Sequence, residues 1–333
     1  MSSEGRFGRT SILGSVAALA AVVMVLVSAL LGWLDWRPRL QLRSHWLTVV
    51  SAFIGLIPFL LGVAVVLLLP SARLGRRVAA TGVFAVLALR LALMEPHLAD
   101  VRPPQPNLVV LEQNTYYGWA DPAALARQAS AAGADLVVLP EVTTRTLAGL
   151  DRTDWHSRYP YRAGAAAGDW NDAGLMVFSR YPLLTDGGPH PGVGLRLTVD
   201  VPEGRLTLIA VHFANPVDAW RAWTGDFALL EGEVHDSPAP LVVAGDFNAV
   251  PQHEQLRELL RTTGLRDAAA EVGDLWVPTF PSARSYPSPA QWAIPVMHLD
   301  HVLVGTGVTA SRLATFRVDG TDHRGLIAAL RVG

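Results

Sequence analysis

Hydrophobic and polar positions divide the chain into two unlike parts. Before residue 100, three runs are almost wholly apolar: Ser11–Trp33, Trp46–Leu69 and Val78–Met94. A bilayer core of about 30 Å needs about 20 helical residues, and the first two runs meet that length. Pro58 in the second is tolerable in lipid. The third is shorter and carries Arg90, which has to snorkel towards an end. The pattern predicts about three transmembrane helices, or two spans and an interfacial helix, within a membrane region over residues 1–100. A signal peptide fits less well, because the first apolar core is too long and two more follow it. Val101–Pro106 (VRPPQP) reads as a stiff linker.

From residue 107 the period changes. Leu108–Glu112 (LVVLE) predicts a buried strand. Asp121-Pro122 marks a helix start, with the acid at the cap and proline in the first turn. The helix runs to Gly133, and Ala134–Leu139 follows as the next strand. Strand, helix and strand at this spacing make an α/β unit. Further strands are expected at Gly174–Phe178, Leu195–Val201, Leu206–His212, Leu241–Ala244, His298–Val304 and Ile327–Val332. Their connections vary, which predicts mixed sheets. Tyr161–Asn171, rich in Gly and Ala, reads as a mobile loop, as does Ser282–Pro289.

Composition narrows the chemistry. The chain has 333 residues and no cysteine. Disulfides, zinc–thiolate sites and cysteine nucleophiles are therefore excluded. All 27 basic residues are arginine. From residue 105 onward 17 arginines face 25 acids, a net of −8. A generic polyanion binder shows a basic footprint, and this part lacks one. That makes nucleic acid a less expected partner without excluding it. The N-terminal tail and second loop hold five arginines (6, 9, 73, 76 and 77) against three (37, 39 and 43) in the first loop. With three spans the positive-inside rule places the second part outside the cell membrane; with two spans it faces inward.

The informative polar residues are those that end apolar strands, because a loop at a strand tip builds a site. They are Asn114 after LVVLE, Glu141 closing LVVLPE, His212 in LIAVHFANP, Asp246 and Asn248 in GDFN, Asp300 in LDHVLV, and Asp322 and His323 in TDHR. Each alone is ordinary: a strand-end Glu is commonly a cap, and a lone His is commonly a bonded core residue. Together they form an inventory. Hard cations take oxygen ligands, and imidazoles beside carboxylates supply proton transfer and charge stabilisation.

The ordered set NTYYG, LPEV, GLMVFSRYP, VHFANP, GDFNAVP, TFP, LDHVLV and TDHRGL resembles the endonuclease/exonuclease/phosphatase superfamily over about residues 107–333. The resemblance implies a four-layered α/β sandwich with two central sheets, and a metal-dependent phosphoester hydrolase of diesterase, nuclease or phosphatase type. It implies that Asn114, Glu141 and Asp322 hold or neighbour Mg²⁺, with Mn²⁺ as a substitute. Asp246 would orient or deprotonate water and Asn248 would bind phosphate. Asp300 would orient His323 towards the scissile phosphate, and His212 would stabilise phosphoryl charge. The expected partners are a phosphoester substrate (phospholipid head group, nucleic acid or small diester) and the lipid bilayer around the N-terminal helices.

Two departures limit the reading. Many nuclease members have Gln before the metal-binding Glu, where this chain has Pro140, and no counterpart of the catalytic tyrosine of abasic-site enzymes is evident. ADLVVLPE also resembles the first motif of the nitrilase superfamily, but that chemistry needs Lys and Cys, and the chain has neither. A non-catalytic, membrane-tethered binding module on the same scaffold is the other alternative. Trp155, Trp170, Trp220, Trp223, Trp276 and Trp292 are candidates for a membrane interface, although packing is the commoner use of such residues. Arg180 and Arg324 are candidates for phosphate contact.

Overall fold

The computed structural model of the chain describes residues 4–68, 78–86, 105–169, 171–185, 194–274, 276–282 and 294–333. It divides into two compact units, Met1–Glu95 and Pro96–Gly333.

In the first unit, helix α1 runs Glu4–Trp36, α2 His45–Ser51 and α3 Ile57–Leu68, with a 3₁₀ turn at Ile54–Leu56 joining the last two. Pro58 falls in the first turn of α3, where a missing N–H breaks no helical bond. Two segments are long and apolar enough to cross a membrane, Gly14–Trp36 (23 residues) and His45–Leu68 (24 residues). They pack through Leu31, Leu34, Ile54, Ile57 and Leu61. Leu19, Val22, Val23, Leu26 and Leu30 of α1 are exposed. Of the third apolar run, residues 78–86 are helical; the rest, and residues 101–104 of the expected linker, lie outside the described residues.

The second unit holds two six-stranded sheets. The first has the order β11-β12-β1-β2-β4-β3 and the second β5-β6-β7-β8-β10-β9. The strands are β1 Leu108–Glu112, β2 Leu136–Pro140, β3 Tyr161–Ala165, β4 Leu175–Ser179, β5 Leu183–Thr185, β6 Leu195–Val201, β7 Gly204–His212, β8 Leu241–Asp246, β9 Arg266–Asp267, β10 Asp300–Val304, β11 Val308–Phe316 and β12 Gly325–Val332. Each sheet has one parallel pair, β1 with β2 and β7 with β8, among antiparallel neighbours. Both sheets are therefore mixed.

The apolar runs explain the layering. β2, β4, β8 and β10 are buried along their whole length, so both faces must be covered. Side chains such as Val110, Val138, Val177, Leu208, Val242 and Val302 fill the space between the sheets. The outer face of the first sheet is covered by α4 Pro122–Ala132, α5 Thr144–Leu150 and α6 Trp155–Arg158, through Leu125, Leu150 and Trp155. The outer face of the second is covered by α7 Pro216–His235 and α8 Glu254–Thr263, through Trp223, Phe227 and Leu256. Short α9, Ala268–Glu271, follows β9. The result is a four-layered α/β sandwich. Burying each such side chain contributes about 1.5–3 kcal/mol.

The helix read from Asp121-Pro122 forms as the cap chemistry predicts. Asp121 accepts a hydrogen bond from the Ala123 amide, and Gly133 ends α4 in the left-handed region. Tyr161–Asn171 is different from the expected loop. Its first five residues form β3, paired antiparallel to β4 from Tyr161↔Ser179 to Ala165↔Leu175. Only Ala163 of β3 is buried, so this edge strand carries no hydrophobic alternation by which to recognise it. Most of Ser282–Pro289 lies outside the described residues.

Asp135 ties three strands together. Its Oδ2 accepts from the Val109 amide at 2.9 Å, and its Oδ1 accepts from Arg180 at 3.0 Å and the Tyr181 hydroxyl at 3.3 Å. Arg180 is thus engaged structurally. Asp135→Ala leaves the partly buried Val109 amide unsatisfied, and we expect a loss of about 1–2 kcal/mol. The check is the urea midpoint of the full-length chain in detergent; an unchanged midpoint contradicts this role.

Candidate active site

The C-terminal ends of the two parallel pairs meet, and the antiparallel strands β10 and β12 begin at the same end. Asn114, just past β1, donates through Nδ2 to Glu141 Oε1 after β2 and to Asp246 Oδ2 at the end of β8, both at 2.9 Å. His212, ending β7, places Nε2 3.6 Å from Glu141 Oε1. Asp300 opens β10 directly opposite Asp246 in register. His323 precedes β12, its Nδ1 2.8 Å from Asp300 Oδ2 and its Nε2 3.8 Å from Asp246 Oδ2. All eight side chains singled out in the sequence lie around this end or border it. Asn248 follows Asp246, donating its backbone amide to Asp246 Oδ1 at 2.7 Å and its Nδ2 to the Phe213 carbonyl at 2.9 Å.

Local chain geometry holds the loops in place. Gly245 has φ of 150°, and a Cβ there would lie 1.9 Å from the Val211 carbonyl oxygen; the close approach of β7 to β8 is why glycine precedes the aspartate. Four non-glycine residues among those described have left-handed φ: Tyr116, Tyr117, Glu141 and Asn248. Such residues cost of order 1 kcal/mol or more and persist only when their surroundings hold them. Here the polar side chains do so. The Tyr116 amide donates to Asn114 Oδ1 and the Tyr117 amide to Glu141 Oε2, both at 2.8 Å.

Electrostatically the centre is a set of carboxylates short of positive charge. Burial, with Asp300 adding, pushes Asp246 up to about 6, although His323, His212 and the Asn248 amide pull the other way. Burial also pushes Asp322 up to about 6, opposed by His323 and reinforced by Glu141 and Asp246. Burial works against the charged form of His323, but Asp300, Asp246 and Asp322 outweigh it and hold the imidazolium well above the usual histidine range.

The donor set suits a hard cation. Ligand atoms of Glu141, His212 and Asp246 lie within 4.8 Å of one another, as do those of Asp246, Asp300 and His323. Asp322 is outside these groups, but its Oδ1 is buried without a hydrogen-bond partner. Asn114 turns its amide nitrogen towards the carboxylates while its oxygen accepts from Tyr116. An oxygen ligand from Asn114 therefore requires the amide to turn over. Among the described residues Asp267, His298 and His301 form another cluster. His301 spends both nitrogens there, on Asp267 at 2.7 Å and the Ala249 carbonyl at 2.8 Å, so the cluster is a buried ion pair.

Four supporting residues escaped the sequence reading. Glu112 ends β1 fully buried, with neither carboxyl oxygen facing a donor. Burial first, then Asp300 and Asp246, raise it well above the usual carboxylate range. Thr321 Oγ1 donates to the Asn114 carbonyl at 2.8 Å and accepts from the His323 amide at 3.1 Å. Gln113 Nε2 donates to the Asn114 and His323 carbonyls at 2.7 and 3.3 Å. Thr279 Oγ1 accepts from the amides of Leu299 and Asp300 at 3.0 and 3.3 Å. The terminal acid of LVVLE was a visible signal for Glu112, since an apolar strand rarely ends in a buried carboxyl without reason. Thr279 and Thr321 open the TFP and TDHR motifs and Gln113 precedes NTYYG, but none of the three was given a role.

Comparison with known proteins agrees with the fold. The Endonuclease/Exonuclease/phosphatase family matches residues 113–323. A solved endonuclease/exonuclease/phosphatase from Beutenbergia cavernae is 23% identical, with a TM-score of 0.53 over 69% of this chain and 72% of that one. D. rerio TDP2 complexed with single-strand DNA product is 15% identical, with a TM-score of 0.52 over 68% of this chain and 99% of that one. No curated protein matches the chain. At these identities the two structures speak for the fold; the match over most of the second unit shows that the chain belongs to the Endonuclease/Exonuclease/phosphatase family. Members of that family are generally hydrolases of phosphoester bonds.

The raised carboxyls give a pH dependence with a definite sign. Asp246 and Asp322 move from 3.8 to about 6 on folding, so the stability they contribute is full below about pH 4 and is lost as pH rises through about 6. A divalent cation bound at Asp322 and beside Asp246 reverses this, because its charge favours their ionised forms. The rise in melting temperature on adding Mg²⁺ or Mn²⁺ over EDTA should be small at about pH 5 and large at about pH 7. An increment that ignores pH would show that the cation does not bind at or beside these carboxyls.

Proposed function

We propose that this family member is a membrane-anchored, divalent-metal-dependent phosphoester hydrolase in which water attacks phosphorus in line with the leaving oxygen. The observation that carries the reading is the convergence of Glu141, Asp246 and Asp322 with Asn114, His212 and the Asp300–His323 pair at one end of the sandwich. Glu141 and Asp322, with Asn114 beside them, would hold the cation, which would supply charge neutralisation for a bound phosphate. Asp246 orients the attacking water and takes its proton; a carboxyl raised to about 6 is a better base than an ordinary aspartate. The phosphorus–leaving-oxygen bond breaks as the water oxygen bonds. His323, kept cationic by Asp300, faces the charge that accumulates on the phosphoryl oxygens. His212, beside Glu141, stabilises charge on the phosphoryl oxygens. Asn248, with one Nδ2 hydrogen bound to Phe213, offers the other to phosphate.

The anchor rests on the length of Gly14–Trp36 and His45–Leu68 and on the apolar face that α1 exposes. A contiguous exposed apolar surface marks a membrane or partner contact, and 23 residues span a bilayer core. With the third apolar run also spanning, the hydrolase unit is extracytoplasmic and the protein a multi-pass resident of the cell membrane.

The first test uses the full-length chain in detergent, offered bis-p-nitrophenyl phosphate, p-nitrophenyl phosphate, plasmid DNA and sphingomyelin vesicles with Mg²⁺, Mn²⁺ or EDTA. We expect cation-dependent turnover on at least one substrate, reduced by about 10²–10⁴-fold in Glu141→Ala and His323→Ala. Absence of turnover on all four, from folded protein that binds the cation, would favour the non-catalytic binding module instead. A second test concerns topology. Because the chain has no cysteine, Ser157→Cys at an exposed position supplies a single thiol. It should react with a membrane-impermeant maleimide in intact cells; labelling only after permeabilisation would place the unit inside.

A further inference from the structure

Next to the acidic centre, the loop after β1 and helix α5 enclose a cavity of about 340 Å³, whose lining includes Trp119, Asp121, Pro122, Arg145, Gly149 and Arg152. It is joined to the centre by a short stretch of chain. Tyr117, whose amide is bound to Glu141, is followed directly by Gly118 and Trp119. Two peptide links reach at most about 7.6 Å. Gly118 cannot carry a side chain, since a Cβ would lie 1.9 Å from Thr143 Oγ1. The loop is thereby pressed against the start of α5, and the cavity wall is fixed relative to Glu141.

The charge of this cavity is opposite to that of the centre. Arg145 lies in α5 and Arg152 two residues past its end, and both line one cavity. The guanidinium carbon of Arg145 sits 4.1 Å over the Trp119 ring. Stacking occupies the face of the guanidinium and leaves its in-plane N–H edge for an anion. Among the described residues neither arginine has a carboxylate partner, and the nearby acids are engaged elsewhere. Asp151 pairs with His156, Asp154 with Arg158, and Asp121 caps α4. Arg145, stacked on Trp119, and Arg152 thus bring two positive charges to one cavity in a part of the chain with a net charge of −8.

We propose that this cavity is a subsite for a second anionic group of the substrate, a phosphate or carboxylate. The preferred substrate then carries another negative group on one side of the scissile phosphoester. The inference rests on the hydrolase reading for its place in the reaction, and it adds specificity to that reading: the carboxylate centre handles the reacting phosphorus, and Arg145 and Arg152 hold the non-reacting group.

The test compares two substrates with the same scissile bond, the p-nitrophenyl ester of thymidine 5′-phosphate with and without a 3′-phosphate, using the full-length chain in detergent. The added phosphate should lower KM by about tenfold, the scale of a charge-assisted pair. Arg145→Gln and Arg152→Gln should each remove most of that preference and leave kcat on the ester without 3′-phosphate unchanged. Equal KM values for the two esters in the parent protein, or a preference that survives both substitutions, would overturn the subsite. If neither ester turns over, calorimetric binding of thymidine 3′,5′-bisphosphate against thymidine 5′-phosphate separates the two ideas. A preference lost in Arg145→Gln keeps the subsite while the hydrolase reading falls, and no preference removes the subsite.

Discussion

Buried like charge is the constraint around which the second unit is arranged. Glu112, Asp246 and Asp300 are almost wholly withdrawn from water, and Glu141 and Asp322 adjoin them. Left bare, each ionised carboxylate would cost several kcal/mol to bury. The structure offsets that cost with a short list of donors. Asn114 divides its amide between Glu141 and Asp246, the amides of Tyr117 and Asn248 each serve one carboxylate, and His212 and His323 supply imidazole. What remains appears as a raised affinity for protons at Glu112, Asp246 and Asp322. Such a site is stable enough to exist and is still short of positive charge, which is the condition for binding a cation.

The same donors account for the backbone. An unfavourable left-handed residue needs something to hold it, and the amides of Tyr116, Tyr117 and Asn248 are held by the acceptors of the site. Strain and charge therefore support each other. The carboxylates need main-chain donors, and only a sharply turned chain presents those donors at the strand tips. The sheets behind supply rigidity. Because β2, β4, β8 and β10 are covered on both faces, small shifts at one end are resisted by close packing throughout. Removing a cap such as Asp121 would disturb a helix; removing Asn114 would disturb both strain and charge at once.

What could be read from the residues follows this division. Interior strands were visible because double burial writes an unbroken apolar run, as in LVVLP and LVVAG, and α4 was visible because its cap and terminating glycine are chemically distinctive. The edge strands β3 and β11 were not. A strand that buries one residue in five, or alternates Arg, Ala and Thr at a sheet margin, has no run to display. The eight polar residues at strand tips were legible as a set because each follows or opens such a run. The roles of Glu112, Gln113, Thr279 and Thr321 were not, even though Glu112 closes LVVLE and the two threonines open quoted motifs, because those roles depend on partners up to 210 residues away, as Gln113 and His323 are. Local sequence holds no trace of that pairing.

Reaction class and substrate are encoded at different ranges. The chemistry of phosphoester cleavage needs carboxylates and imidazole at fixed strand ends, so it imprints itself as ordered motifs. Recognition of the rest of a substrate is left to loops and short helices, whose positions depend on the scaffold that carries them. Trp119 and Arg145 illustrate this. Neither belongs to a polar strand tip, they are 26 residues apart, and their stacking appears only when the loop after β1 folds against α5. A positive pair set in an acidic surface is invisible in a net charge, which averages the two signs that the folded chain keeps apart. For a protein of this kind, the sign and spacing of charges around the cleft carry the information on substrate that composition loses.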